Sequence, residues 1–303
     1  MNHRINRRQF FTGAINTTIM LSIPFLARGV FAGSLVSRNK GTAIKYSLNA
    51  YSFNKALRAG EMTLADVIDF CAGLGFSGLD ATGYYFPGYP DVPADSYLYE
   101  LKRKAFLNGI TINGTGVKND FAQANPDKRK NDVQMVKNWI EAAEKLGASV
   151  IRIFSGAKFA EDFTFDQVLE WMIPDIKECV EHGKKHGVIV GLQNHNDFAK
   201  TAAETIKIVE AVNSEWFGVI LDTGSLRQSD PYEEIARLLP YAVSWQLKEK
   251  VWYGDKESPV DLKKIKQIID RNGYRGFIPI ETLGEGDPKI KIEALLAEIK
   301  NIL

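Results

Sequence analysis

From residue 42 to its C-terminus the chain alternates eight short apolar runs with longer segments of helical periodicity, and this alternation constrains the fold more than any other feature. The runs lie at 44–51, 78–82, 110–114, 149–154, 188–193, 217–222, 242–247 and 277–281. Val150-Ile151-Arg152-Ile153-Phe154 and Val188-Ile189-Val190-Gly191-Leu192 are mostly apolar without alternation. That pattern suits parallel strands covered on both faces. The intervening segments carry helix signals. Thr63 with Asp66 and Thr164 with Gln167 have the capping-box spacing. Asp230-Pro231 and Asp287-Pro288 each set a capping Asp before a proline that the first helical turn tolerates. Val136, Trp139, Ile140 and Ala143 follow the spacing of one helix face, and Gly147, Gly187 and Gly273 stand where helices end. The Gly/Pro-rich aromatic stretch 82–94 reads as a loop after the second strand. No linker or composition shift interrupts residues 42–303, a length of about 260 that is close to the usual barrel size. A single-domain α/β fold, the (β/α)8 TIM barrel, is therefore expected over an open doubly wound sheet. No Gly-rich phosphate loop follows any strand, which weakens a dinucleotide-binding reading.

Composition narrows the function. Lys and Arg number 38 against 37 Asp and Glu, a formal net charge of +1. The basic excess of a nucleic-acid binder or a membrane-surface protein is absent. The two cysteines, Cys71 and Cys179, sit in apolar helical patterns, so neither a disulfide framework nor a Cys-rich zinc site is expected. With four histidines, any metal site would be rich in oxygen ligands.

The N-terminus reads as an address. Asn6-Arg7-Arg8-Gln9-Phe10-Phe11 has the twin-arginine export pattern, and a mild apolar run follows through Leu26. Gly13, Asn16 and Pro24 interrupt that run and make it a poor permanent membrane span. Residues 1–33 are thus expected to be an export signal cleaved near Ala32, giving a periplasmic mature protein with no membrane attachment.

In a barrel of this kind the active site is built where the strands end. The fifth run ends Gln193-Asn194-His195-Asn196-Asp197, the sixth Asp222-Thr223-Gly224-Ser225, the seventh Gln246-Leu247-Lys248-Glu249 and the eighth Glu281-Thr282. Each residue alone would simply solvate a strand end. Together, Gln193, Asp222, Gln246 and Glu281 offer two carboxylates and two amide oxygens, a hard set suited to magnesium, manganese or calcium.

These strand ends resemble the xylose isomerase-like TIM-barrel superfamily, the sugar phosphate isomerase/epimerase group. The match is most specific from Val188 to Glu281, with Leu221-Asp222-Thr223-Gly224 and Gln246-Leu247-Lys248-Glu249 in context. The resemblance implies one divalent metal, manganese or magnesium, held by Gln193, Asp222, Gln246 and Glu281. Two positions depart from the family, which carries Glu where Gln193 stands and His where Gln246 stands. Ser225 also stands where many members carry His. Of the two carboxylates that trade a proton in family epimerases, only Glu281 remains. The implied activity is that of an isomerase or epimerase on a small sugar or keto-sugar. Glu281 would take a proton beside a carbonyl while the metal stabilises the enediolate. His195 and Lys248 are the further catalytic candidates. Arg152, Asn194, Glu249, Trp252 and Tyr84 are the candidate substrate-binding residues, with Trp245 as further aromatic wall and Asp80 as an acid at the end of the second strand. Expulsion of a leaving group, as in a keto-glycoside lyase or hydratase, and non-catalytic sugar binding are the alternatives on the same site. A metal nuclease on this fold would need many His and Glu ligands that the mouth lacks. A homodimer is left open. His182 and His186, four residues apart at a helix end, have a spacing that can bind metal but are read as polar side chains facing solvent.

Overall fold

The computed structural model describes residues 35, 36, 38, 41–156 and 162–303, so the expected export signal at 1–33 lies outside the described residues. Eight parallel strands close into a barrel: β1 (Ala43–Asn49), β2 (Gly78–Thr82), β3 (Thr111–Gly116), β4 (Val150–Phe154), β5 (Ile189–Gln193), β6 (Phe217–Asp222), β7 (Ala242–Lys248) and, after a hairpin of β8 (Lys250–Tyr253) with β9 (Lys256–Pro259), β10 (Arg275–Glu281). Strand β10 closes the ring between β1 and β7. The eight expected runs are these eight strands, shifted by one or two residues at their ends. The hairpin was not expected. Its turn is Gly254-Asp255, with Gly254 at φ +62°, a conformation glycine adopts at little cost.

The helices are α1 (Asn54–Ala59), α2 (Leu64–Gly73), α3 (Asp95–Leu107), α4 (Pro126–Leu146), α5 (Phe165–Lys185), α6 (Ala202–Val212), α7 (Pro231–Leu238), α8 (Leu262–Asn272) and α9 (Pro288–Ile302). Both capping boxes form, and Asp230 and Asp287 cap α7 and α9 ahead of their prolines. On α4 the periodic residues Val136, Trp139, Ile140 and Ala143 are all fully buried. Each large aliphatic among them contributes about 1.5–3 kcal/mol by leaving water. Trp139 also fixes the aromatic loop, because its indole N–H donates to the Pro90 carbonyl at 2.7 Å. No helix among the described residues is long and apolar enough to cross a membrane.

Strand alternation decides which side chains enter the barrel. On β7, Ser244, Gln246 and Lys248 share one face, while Trp245 and Leu247 lie on the other. Register then sets the neighbours: Gln246 pairs with Asp222 across β6–β7, and Lys248 pairs with Glu281 across β7–β10.

Candidate active site at the barrel mouth

The ends of β5, β6, β7 and β10 bring Gln193, Asp222, Gln246, Lys248 and Glu281 together, all buried or nearly so. Asp222 is the hub. Its Oδ2 accepts from Gln193 Nε2 at 2.7 Å, from Ser225 Oγ at 2.8 Å and from Lys248 Nζ at 2.9 Å. Its Oδ1 accepts from the Gly224 N–H at 2.9 Å. Gln193 Nε2 also donates to Gln246 Oε1 at 2.7 Å. The Lys248 ammonium lies 3.4 Å from Glu281 Oε1, so it bridges the two carboxylates.

Charge state follows from this packing. Burial would raise the Asp222 carboxyl, but the Lys248 ammonium, the nearby His195 and the donors on Asp222 outweigh it and hold the group below its ordinary value. Burial raises Glu281 above the usual carboxylate range. Lys248 only partly offsets that, and Asp222 adds to it. Burial alone would pull Lys248 down, yet the two carboxylates more than compensate and keep it protonated. Asp80, buried on β2, is pushed up to about 6 by burial, against the pull of Arg152 and with a push from Glu281.

A cavity of about 310 Å³ opens above this cluster, within the range of small-molecule sites. Gln193, Gln246, Lys248 and Glu281 line it, with Arg152, Tyr84 and His195 on its walls. The Arg152 guanidinium donates to the Val117 carbonyl and to Tyr84 Oη, and lies 4.1 Å from the Phe154 ring centroid. Gly116 makes room for it, since a Cβ there would fall 2.8 Å from Arg152 Nε. The half-exposed His195 rests on Phe154, with Nδ1 3.3 Å from Asp197 Oδ2.

Four expected contributors stand elsewhere. Asn194 exchanges hydrogen bonds with the Asp222 backbone, donating to its carbonyl at 2.8 Å and accepting from its N–H at 2.9 Å, so it positions that strand end and does not line the cavity. Glu249 is drawn away by the Leu283 N–H and the Lys291 ammonium at 3.0 Å. Trp252 sits on the unexpected hairpin under the Arg227 guanidinium, 3.9 Å from its ring centroid. Trp245 is wholly buried against Tyr274 on the outer face of β7. Conversely, Asn49, Tyr51, Arg58, Lys118 and Asn119 line the cavity without having been singled out. Asn49 is a polar strand end that the same sequence rule, applied to the first strand, would have found. Arg58 on α1 carried no such signal.

The donor set does not fit a divalent cation as it stands. All four Asp222 contacts are donors, three of them on Oδ2, the Lys248 ammonium among these. Gln193 presents its N–H₂ group to the centre, and turning the amide would press its oxygen against Asp222. The ammonium already bridges the acids. Ser225 does not project a nitrogen ligand but donates to Asp222. Outside the mouth, Glu141 on α4, His182 on α5 and His186 at the C-cap of α5 place one ligand atom each within 4.8 Å of the others, a candidate His/Glu metal group on the barrel flank.

Residues 68–302 match the family model for the xylose isomerase-like TIM barrel, and the chain belongs to that family. No curated protein matches the sequence. Among solved structures, D-psicose 3-epimerase from Clostridium cellulolyticum, solved with D-tagatose, superposes with TM-score 0.72 at 20% identity, covering 86% of this chain and 99% of the other. A probable 3-DHS dehydratase involved in petrobactin synthesis, AsbF from Bacillus anthracis, gives 0.68 at 19% identity, over 85% and 99%. The IOLI protein, with a binding zinc atom, gives 0.67 at 14%, over 85% and 96%. At these identities the likeness is one of fold.

Proposed function

We propose that the chain is a sugar isomerase- or epimerase-type enzyme that removes a proton from a carbon beside the carbonyl of a small sugar or keto-sugar. One observation carries the reading: a buried carboxylate of raised proton affinity, Glu281, faces a sugar-sized cavity beside a fixed ammonium, Lys248. A carboxylate that binds a proton more tightly than usual suits abstraction of a weakly acidic C–H proton. Arg152 and Tyr84 would grip hydroxyls, and Phe154 would pack against a sugar face. Gln193 cannot act as a second base, so Glu281 alone takes the proton and delivers it from the same side to the neighbouring carbon, an outcome that is isomerisation, because inversion at one carbon would need a donor on the opposite face. The His195–Asp197 pair on the cavity wall favours a second outcome on the same intermediate: His195 protonates a departing group, and the reaction becomes an elimination. No step in this proposal runs through a metal.

The test is solvent deuterium uptake by a panel of keto-sugars and oxidised glycosides, followed by NMR. Wild-type protein should label one carbon beside the carbonyl. Glu281→Gln should lower the rate at least about 100-fold, the usual scale of a lost general base. No labelling of any sugar would sink the reading. We also propose, on the Arg7-Arg8 pattern alone, that the protein is exported and that its mature form begins near Gly33. N-terminal sequencing of the periplasmic fraction checks this, and an intact Met1 there would refute it.

A further inference from the structure

Gln193, Asp222, Gln246, Lys248 and Glu281 are tied to one another at the mouth by hydrogen bonds and ion pairs. Asp222 accepts from four donors, one of them the Lys248 ammonium. The same ammonium reaches Glu281, so one fixed cation serves both acids, the place a metal would take among strand-end carboxylates. The position is built. Lys248 lies on the inward face of β7, and its backbone N–H donates to Thr223 Oγ1 at 3.0 Å. Its stem crosses Gly224 so closely that a Cβ there would meet Lys248 Cδ at 2.6 Å. The two amides complete the arrangement. They are neutral, they bond to each other, and Gln193 turns a donor inward where a metal ligand would turn an oxygen.

We propose that the Lys248 ammonium is the resident cation of this site and that the barrel mouth works without a divalent metal. The proposal deepens the reading of the site as a proton-abstracting sugar enzyme and rests on it for its chemistry. An ammonium has three N–H donors. Two are committed to Asp222 and Glu281, which leaves one for a carbonyl oxygen of the substrate. Glu281 takes the C–H proton, the electron pair forms the carbon–carbon double bond of an enolate, and the carbonyl oxygen gains the negative charge. That oxygen is held by the remaining Lys248 N–H. Delivery of the proton from Glu281 to the former carbonyl carbon, with the hydroxyl proton of the first carbon passing to the enolate oxygen, completes the isomerisation, and its return to the first carbon restores the substrate. Lys248 stays protonated throughout, and no oxidant or further reactant is required. Fixed charge aimed at a developing oxyanion in a water-poor site is the effect that metal ions supply elsewhere.

The test is manganese titration of the metal-stripped full chain, read by the EPR signal of free Mn²⁺, in a His182→Ala/His186→Ala background that removes the flank cluster. The mouth is expected to bind no Mn²⁺. A Gln193→Glu/Lys248→Met chain, with a third carboxylate and no ammonium, is expected to gain one site that Asp222→Ala removes. One-to-one binding by the parent chain that disappears on Asp222→Ala overturns the proposal, whether or not the double substitution folds. Deuterium exchange provides the second readout. A rate unchanged within about twofold in EDTA supports the resident cation, and a tenfold or greater loss restored by Mn²⁺ overturns it. If no sugar exchanges at all, the enzymatic reading fails, and the EPR titration still decides which cation the site holds.

Discussion

Replacing Lys248 by methionine keeps an unbranched stem over Gly224 and deletes only the ammonium. At the observed 2.9 and 3.4 Å, and with an effective dielectric of about 20, each carboxylate attracts the ammonium by about 5 kcal/mol before any cost is counted. Desolvating the three groups offsets much of that gain. Removing one partner of a buried ion pair nevertheless costs about 3–5 kcal/mol, because the remaining charges stay buried without compensation. That is the loss expected for Lys248→Met above neutral pH, roughly 10 °C in Tm for a domain of this size. The loss should also depend on pH. Glu281 already binds its proton more tightly folded than unfolded, through burial and Asp222, and Lys248 is its main counterweight. Without the ammonium, its folded pKa rises further. A raised folded pKa gives stability that is present below the unfolded value and is lost as pH rises through the folded one. The gap between wild type and variant should therefore widen with rising pH and narrow toward pH 4.5. Lys248→Met/Glu281→Gln should recover most of the loss, since Asp222 keeps Ser225, Gly224 and Gln193 as donors. Urea unfolding followed by tryptophan fluorescence at several pH values measures all three chains. A Lys248→Met loss below about 1 kcal/mol at pH 8, the scale of an exposed pair, would refute the buried-triad argument. A gap indifferent to pH, or a double variant no more stable than the single, would refute it equally.

Two further outcomes follow from the same packing. Asp80 is held up to about 6 by burial, so its stabilising contribution is complete below about 4 and lost as pH rises through 6. Asp80→Asn should remove that slope and stabilise the protein above pH 6 by roughly 3 kcal/mol, at about 1.4 per pH unit. Thermal melts at pH 4.5 and pH 8 check it, and equal effects at both would count against it. Gly224→Ala should push the Lys248 stem off its seat, at about 1–3 kcal/mol in stability. It should also slow deuterium exchange. Unfolding and exchange assays on one preparation measure both, and an unchanged exchange rate would show that the close approach does not set the ammonium's position.

The barrel was legible because its signals are local and repeated. Continuous apolar runs, capping boxes at Thr63 and Thr164, and Asp-Pro helix starts each report their own segment, and eight repetitions leave one architecture that buries every strand on both faces. The strand-end rule then named Gln193, Asp222, Gln246 and Glu281 before any packing was known, because chain direction fixes which end of every parallel strand opens on the mouth. It could not distinguish Asn194, which braces the Asp222 backbone, from its neighbour Gln193, which enters the centre. Nor could it show that Glu249 turns to Lys291, or that Trp252 leaves on a hairpin whose only local sign is Gly254-Asp255. Arg58 and Lys118 reach the cavity from α1 and from the loop after β3, and no pattern within either segment announces it. The sequence alone determined the fold, the mouth and the charged and amide groups at the ends of its strands, since these follow from periodicity and chain direction. Only the tertiary structure decided how those charges pair. Cross-strand register sets Lys248 against Glu281 and Gln246 against Asp222, and register belongs to two strands at once.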